Sequence, residues 1–147
     1  MRDPLDRDAA LKGRTVFVCE NPTIVALAAR QLARRCAPLV CVNGQPATPV
    51  KILLRQLATA GAQLRYHGDF DGKGIEIARA VITDFGAAPW RMSADDYLAA
   101  PKGRALNRPP PATPWCPALA EAMRKECRVV HEEAVAHLLL ADLAEES

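Results

Sequence analysis

Short apolar runs alternate with longer amphipathic stretches along the chain from Thr15 onward. The run Thr15–Cys19 is continuously β-branched or apolar, which is typical of a strand that is buried on both faces of a sheet. Residues 23–36 place their apolar positions on one stripe at helical spacing. Strands that alternate with helices pair in parallel through right-handed crossovers. We therefore predict an α/β fold with a mostly parallel sheet of about four to five strands and helices on both faces.

Each element has its own boundary signals. The predicted strands are residues 15–19, 38–42, 63–67, 89–92 and, as a fifth short strand, 128–131. The first predicted helix covers residues 23–36, after Asn21 as N-cap and Pro22. In the second helix Thr48 is the N-cap, Pro49 is the first residue and Gly61 marks the end. The other predicted helices cover residues 75–85, 94–100, 117–127 and 132–145. Residues 101–114 are predicted to form a proline-rich loop. We expect residues 1–14 to be an N-terminal extension and residues 15–147 to be a single domain.

Composition narrows the class of protein. Of 147 residues, 50% are hydrophobic and 24% are charged, so the chain can bury a core, whereas its net charge of +2 does not by itself indicate a nucleic-acid binder. The five cysteines are scattered without a Cys-x-x-Cys pair, which argues against a disulfide framework or a zinc knuckle. No apolar stretch approaches the ~20 residues that cross a bilayer, and the charged N-terminus does not resemble a signal peptide. We expect a cytoplasmic protein that does not associate with a membrane.

Three acidic residues follow strands that the order 2-1-3-4 makes neighbours. Glu20 comes directly after the first strand, and Asp69 and Asp71 follow the third. In a parallel sheet of this order the carboxyl ends of these strands flank the crevice in which ligands bind. Carboxylates so close repel one another unless a cation neutralises them, and Mg²⁺ suits such oxygen ligands. The alternative is that each acid is a solvated cap or an Asx turn.

The stretches that carry these acids resemble a known family. Val-Cys-Glu20-Asn-Pro and His-Gly-Asp69-Phe-Asp71-Gly-Lys-Gly resemble the marks of Toprim domains, the magnesium-binding modules of topoisomerases, primases and several nucleases, above all the topoisomerase VI A subunit. The chain also resembles the C-terminal domain of a family of uncharacterised bacterial proteins linked to Wadjet anti-plasmid systems. The stretches that carry this second resemblance are residues 18–22, 43–46, 64–71, 89–92 and 131–134. Together they cover about residues 15–143.

The resemblance implies a Toprim-like, Rossmann-like fold and a set of catalytic residues. Glu20, Asp69 and Asp71 would bind one or two Mg²⁺ ions, or Mn²⁺, and cleave a phosphodiester, with Glu20 also available as a general acid or base. Glu132 is the best match for a late glutamate that joins the acidic cluster in related nucleases. The alternative for Glu132 and its neighbour Glu133 is that they are first-turn acids of the last helix.

Substrate contacts are predicted less specifically. Lys73 directly follows the acidic loop and could contact a phosphate, while Asn43 and Gln45 lie in a strand-end loop over the same crevice. A solvated lysine and an Asn-Gly turn explain these residues equally. The short segment with a clear basic excess carries Lys102, Arg104 and Arg108, with Arg91 nearby, and it could follow a DNA backbone or be a solvated loop. His67 is interpreted as a structural residue.

We therefore predict that the chain is a magnesium-dependent DNA-cleaving domain of a larger nuclease or defence complex. Its expected substrate is DNA, and its expected partner is an SMC-like ATPase assembly. The family proteins have further N-terminal domains, and neither Tyr66 nor Tyr97 matches the strand-cutting tyrosine of topoisomerase VI. One alternative is therefore a non-catalytic Toprim-like interaction module, or a fragment that is inactive on its own. A phosphatase or phosphotransferase with an Asp-x-Asp nucleophile ranks last, because those enzymes carry the pair after the first strand.

Overall fold

A four-stranded parallel sheet organises the protein, which a computed structural model describes over residues 10–145. Its strands are β1 (Thr15–Cys19), β2 (Leu39–Cys41), β3 (Gln63–His67) and β4 (Ala88–Pro89). Their order in the sheet is β2-β1-β3-β4, and every pairing is parallel. The predicted fold class and strand order are therefore confirmed. At the carboxyl edge Cys19 pairs with Cys41 and with His67, so the loops after β1, β2 and β3 leave the sheet side by side.

Helices surround this sheet. They are α1 (Pro22–Gln31), α2 (Thr48–Thr59), α3 (Gly72–Phe85), α4 (Ala94–Ala99), α5 (Pro117–Glu126) and α6 (Ala136–Leu143), with short 3₁₀ helices at Ala33–Arg35 and Glu132–Val135. Helix α1 packs against β2 and α6, whereas α2 and α3 pack against each other and against β3. No helix of residues 10–145 is long and apolar enough to cross a membrane.

Several helix boundaries differ from the predicted ones. The first helix ends at Gln31 instead of residue 36, because Ala33 takes a positive φ of 48° that an α-helix does not continue through. Ala47, not Thr48, occupies the N-cap of α2, and Pro49 lies within its first turn, where a missing N–H costs little. Helix α3 begins at Gly72, three residues early, because the Asp71 side chain caps it.

The predicted fifth strand is wrong. Residues 128–131 form only isolated antiparallel bridges, in which Arg128 pairs with Ala105 and Val130 pairs with Phe70 in the loop after β3. The Phe70 amide donates to the Val130 carbonyl at 2.8 Å, and the Val130 amide donates back at 3.2 Å. The segment is extended because it crosses the acidic loop, not because it joins the sheet. It delivers Glu132 to the same edge, where the predicted closing helix starts as a 3₁₀ turn and continues as α6.

The core lies on both sides of β1 and β3. Phe17 and Trp90 meet with ring centroids 4.5 Å apart, and Trp90 is fully buried, so it belongs to the core. Burial of a large apolar side chain contributes roughly 1.5–3 kcal/mol. Strand β4 is shorter than predicted because the chain turns away at Arg91, which has a φ of 51°.

The remaining predictions concern cysteines and the N-terminus. All five cysteines are free thiols, as the sequence predicted. Of the predicted N-terminal extension, residues 1–9 lie outside the described part of the chain. Residues 10–14 run beside the end of α2, where the Gly13 amide donates to the Gly61 carbonyl at 2.8 Å.

Candidate functional site

Four carboxylates meet at the carboxyl edge of the sheet, beyond β1 and β3. The Asp69 amide donates to Glu20 Oε1 at 2.9 Å, and the Glu132 amide donates to Asp69 Oδ1 at 2.7 Å. Asp71 lies two residues further along the same loop, where its Oδ1 accepts from the Gly74 amide at 2.6 Å. The structure thus brings together the acidic residues that the sequence singled out, although Glu132 is 112 residues from Glu20 along the chain.

The Asn21 side chain connects two of these carboxylates. The sequence did not predict this role of Asn21. It occupies the N-cap of α1 as predicted, yet its side chain makes no capping hydrogen bond. Instead its Nδ2 donates to Asp69 Oδ1 at 3.1 Å and to Glu132 Oε1 at 3.0 Å. An Asn before Pro at a helix start indicates a cap, and that local signal concealed this role.

Glu132 is fully buried and both of its oxygens are engaged. Oε1 accepts from the amide and the side chain of Asn21, at 2.8 and 3.0 Å, and Oε2 accepts from His67 Nδ1 at 2.8 Å and from the Glu20 amide at 3.4 Å. A solvated first-turn acid does not fit this environment, although it does fit the exposed Glu133. Glu132 holds the Glu20 and Asp69 loops against each other. His67 is buried and paired, as its structural interpretation predicted, but its Nε2 has no partner within residues 10–145.

The other three carboxylates each keep one oxygen outside this network. Glu20 Oε2, Asp69 Oδ2 and Asp71 Oδ2 accept no hydrogen bond from a described residue, while the second oxygen of each is fixed by a backbone amide. Carboxylate oxygens are the kind of donor that a hard divalent cation prefers, so the chemistry of these side chains is compatible with Mg²⁺. As the side chains stand, no three His, Cys, Asp or Glu residues within residues 10–145 form a group that could hold a metal ion.

The crowding of carboxylates changes their acidity. Burial raises the pKa of Glu20 from 4.5 to about 8, the charge of Asp69 adds to the rise, and the hydrogen bond from the Asp69 amide opposes it. Burial also raises the pKa of Asp69, with the charges of Asp71 and Glu132 adding to the effect. No ion pair among residues 10–145 brings a lysine or an arginine to these carboxylates. The edge is therefore short of positive charge.

Gly68 makes the close packing of this edge possible. A Cβ at Gly68 would lie 2.7 Å from Glu20 Oε1 and 2.7 Å from the Tyr66 hydroxyl, closer than real side chains approach. The Tyr66 hydroxyl is buried beside these carboxylates without a partner among the described residues, and burial raises its pKa well above 10. A glycine is therefore needed at position 68, where the loop after β3 approaches Glu20 closely.

The predicted substrate-binding residues lie around the same edge. The Asn43 amide donates to the Glu20 carbonyl at 2.9 Å, so the loop that carries exposed Asn43 and Gln45 is fixed beside Glu20. Asn43 and Gly44 have φ values of 55° and 93°, and this turn accounts for the Asn-Gly pair. Lys73 is exposed in the first turn of α3, next to Asp71. Their contact with a substrate remains a prediction.

Lys102 of the predicted basic segment, and Arg91 nearby in the sequence, form contacts within the protein. Arg91 Nε donates to Asp142 Oδ2 at 2.6 Å. Lys102 Nζ donates to the Leu98 and Ala100 carbonyls at 3.0 and 2.7 Å and lies over the Tyr97 ring. These two cations are therefore not available to a DNA backbone, and Arg104 and Arg108 remain.

The fold and this edge define an α/β domain with a carboxylate cluster where the parallel strands end. The family model described as "Protein of unknown function C-terminus (DUF2399)" matches residues 3–143, and the chain belongs to this family. The predicted resemblance to the C-terminal domain of an uncharacterised family is confirmed, while its Toprim and Wadjet parts remain predictions. No curated protein and no solved structure matches the chain.

Proposed function

We propose that this chain is a Mg²⁺-dependent phosphodiester-cleaving domain that acts on DNA. The observation that supports this function is the convergence of Glu20, Asp69 and Asp71, each with one carboxylate oxygen fixed by an amide and the other outside the internal network. Crowded carboxylates without a cationic partner are unfavourable unless a cation binds them. The resemblance to Toprim domains supports the same interpretation.

The residues divide into ligands and a support. Glu20 Oε2, Asp69 Oδ2 and Asp71 Oδ2 would hold Mg²⁺ or Mn²⁺, which when bound supplies Lewis-acid polarisation of a phosphodiester and stabilises charge on the attacking and leaving oxygens. Glu132 is a positioning residue in this proposal, because both of its oxygens are already used by Asn21, His67 and Glu20. Such supporting hydrogen bonds orient ligands and tune their affinity for a metal.

Substrate contacts surround the carboxylates on two sides. Asn43 and Gln45 extend from the loop that the Glu20 carbonyl anchors, and they can offer amide groups to a sugar or a base. Lys73 stands next to Asp71 on the other side and can neutralise a phosphate. A strand held between them would present one phosphodiester to the carboxylate edge.

The domain would work as part of a larger nuclease or defence complex. The resemblance to Wadjet-linked proteins supports an SMC-like ATPase assembly as the partner that delivers DNA. The alternative, a non-catalytic interaction module, is favoured by one observation: the carboxylates of residues 10–145 do not yet form a metal-binding group. Metal binding therefore separates the two functions.

The experiment combines calorimetric titration with plasmid cleavage on the full chain. We expect saturable binding of Mn²⁺ and Mg²⁺ that is lost in Glu20→Gln and Asp69→Asn, because each change removes a charge but keeps an acceptor for the backbone amide. Cleavage of a supercoiled plasmid should require the metal and disappear in Asp69→Asn.

Asp84→Asn is the matched control, since Asp84 is an exposed carboxylate near the end of α3. It should bind metal and cleave as the wild type does, while circular dichroism shows that every variant is folded. A folded wild type that binds neither ion supports the interaction module instead. Metal-dependent cleavage that survives Asp69→Asn would reject this site.

A further inference from the structure

A cavity of about 360 Å³ opens beside Asp71, which forms part of its lining. Its cationic lining comes from two distant parts of the chain, namely Lys73 in the first turn of α3, and Arg104 and Arg108 in the proline-rich loop. A second cavity of about 310 Å³ shares Leu106, Asn107 and Arg108 with the first and adds Arg124 of α5. The shared residues make the two cavities neighbours, and we call the pair the basic groove.

The basic groove carries uncompensated positive charge. Within residues 10–145, neither Lys73, Arg104 nor Arg124 forms an ion pair. Arg108 lies 3.4 Å from Glu76, but the two side chains are 65% and 49% exposed, so this pair contributes little. Asp71 is the one carboxylate that lines the first cavity. Four cations thus line a path that starts at the candidate metal ligands.

The loop that supplies Arg104 and Arg108 is fixed to the body of the protein. The Gly103 amide donates to the Val129 carbonyl at 2.6 Å, and the Val129 amide donates back to the Arg104 carbonyl at 2.8 Å. The Leu106 amide donates to the Cys127 carbonyl at 2.8 Å. These hydrogen bonds fix the loop backbone that carries the two arginines, whose side chains are exposed.

Arg108 also lies close to the start of α3. A Cβ at Gly72 would come within 3.2 Å of Arg108 Nε, so the absent side chain leaves room for the guanidinium against the helix. The first turn of this 14-residue helix and Lys73 then face the same space as Arg108. Helix starts and lysine or arginine side chains together favour phosphate groups.

We propose that the basic groove binds the sugar–phosphate backbone of a nucleic-acid strand, over the phosphates that flank the one at the carboxylate edge. Two neighbouring cavities with four cations suit successive phosphates of a polynucleotide better than a single small anion. The inference rests on the proposed function in one respect: the bound strand is the one whose phosphodiester reaches Asp71.

The test measures DNA binding in EDTA, by fluorescence anisotropy with a labelled single-stranded oligonucleotide and with its duplex. The variant Lys73→Gln/Arg104→Gln/Arg108→Gln should bind at least about tenfold more weakly, and the slope of log K against log salt should fall by about 2–3. Adding Arg124→Gln should weaken binding further. The two probes show whether the groove takes a single strand or a duplex.

The control variant Arg30→Gln/Arg34→Gln/Lys51→Gln removes the same charge from exposed positions away from the groove, and its affinity should stay within about twofold of the wild type. Equal weakening in both variants, or no DNA binding by the wild type, would overturn the inference. EDTA separates the two proposals. Binding that depends on the groove but is not followed by cleavage in Mg²⁺ rejects the nuclease function alone.

Discussion

Partly buried carboxylates occur in two regions of the molecule with opposite electrostatic surroundings. Near the end of β4, Asp142 of α6 accepts a hydrogen bond from Trp90 Nε1 at 2.7 Å. It also accepts hydrogen bonds from Arg91 Nε at 2.6 Å and from Arg91 Nη2 at 2.9 Å. These bonds, first of all the one from Arg91, hold the pKa of Asp142 below its usual value. At the sheet edge, Glu20 has no such cation, and its pKa rises to about 8.

The difference separates structural from functional use of the same chemical group. Asp142 is stabilised in its charged form, so the fold gains from its charge. Glu20 and Asp69 are destabilised in their charged form, so the fold loses by keeping them together. A cluster that costs stability is typical of a site that binds something. Substitutions at the two regions, in metal-free and metal-loaded protein, test this contrast.

The largest effect is expected at the β4–α6 junction. Asp142→Ala leaves the buried Trp90 indole N–H without a partner and removes the bidentate partner of Arg91, so the free energy of unfolding should fall by about 3 kcal/mol. Urea denaturation measures it. Asp84→Ala, at an exposed position on α3, should change stability by less than about 0.5 kcal/mol. Equal midpoints for the two variants would contradict the structural role of Asp142.

Binding of a divalent cation should offset the loss of stability that the crowded carboxylates cause at the sheet edge. If Mg²⁺ or Mn²⁺ binds only the folded state, a concentration of about 100 times Kd adds about 2.7 kcal/mol to the free energy of unfolding. Thermal unfolding should show the gain in the wild type and its loss on adding EDTA. Glu20→Gln should show no gain. A shift of the same size in that variant would place the cation elsewhere.

The two regions should respond to pH in opposite directions. Because the pKa of Glu20 is about 8 in the folded protein and 4.5 ordinarily, the folded state keeps a proton that the unfolded state has lost. The free energy of unfolding should therefore fall between about pH 4.5 and pH 8. The lowered pKa of Asp142 acts oppositely: its stabilisation is present above its ordinary value of 3.8 and is lost on acidification through the folded pKa.

Glu20→Gln isolates the first of these effects. In EDTA at pH 8 the variant should be more stable than the wild type by on the order of 1 kcal/mol, and its stability should fall less between the two pH values. The amide keeps an oxygen for the Asp69 amide, so the hydrogen bond is preserved. Urea titrations at several pH values measure the slope. An unchanged slope would show that the carboxylates do not oppose one another.

The sheet and most of the acidic cluster could be predicted from the sequence. Thr15–Cys19 and Gln63–His67 were predicted with the bounds that the structure has. The first is a continuous β-branched or apolar run, and the second is a short segment that glycines bound on both sides. Once parallel strands are recognised, topology alone places Glu20 near Asp69, since strand ends share one edge.

Contacts between distant segments could not be predicted in this way. Residues 128–131 have the composition of a strand, but their partner is a loop, and no local pattern shows that. The pairing of Asn21 with Glu132 spans 111 residues, and each has a sufficient local explanation as a helix-start residue. The basic groove could not be predicted for the same reason, because the path of the proline-rich loop brings Arg108 close to Lys73.

We expect the smallest effect at two buried tyrosines, one whose hydroxyl is hydrogen-bonded and one whose hydroxyl lies at the acidic edge without a partner among residues 10–145. Tyr97 donates to the Arg128 carbonyl at 2.6 Å, whereas the Tyr66 hydroxyl, at the acidic edge, has no partner within residues 10–145. Tyr97→Phe should therefore lower the free energy of unfolding by about 1 kcal/mol, and Tyr66→Phe should leave it unchanged or raise it slightly. Paired urea denaturation measures the difference, because both changes remove only an oxygen. A larger loss for Tyr66→Phe would mean that its hydroxyl stabilises the neighbouring carboxylates, and the sheet edge would then be less costly to the fold than its geometry indicates.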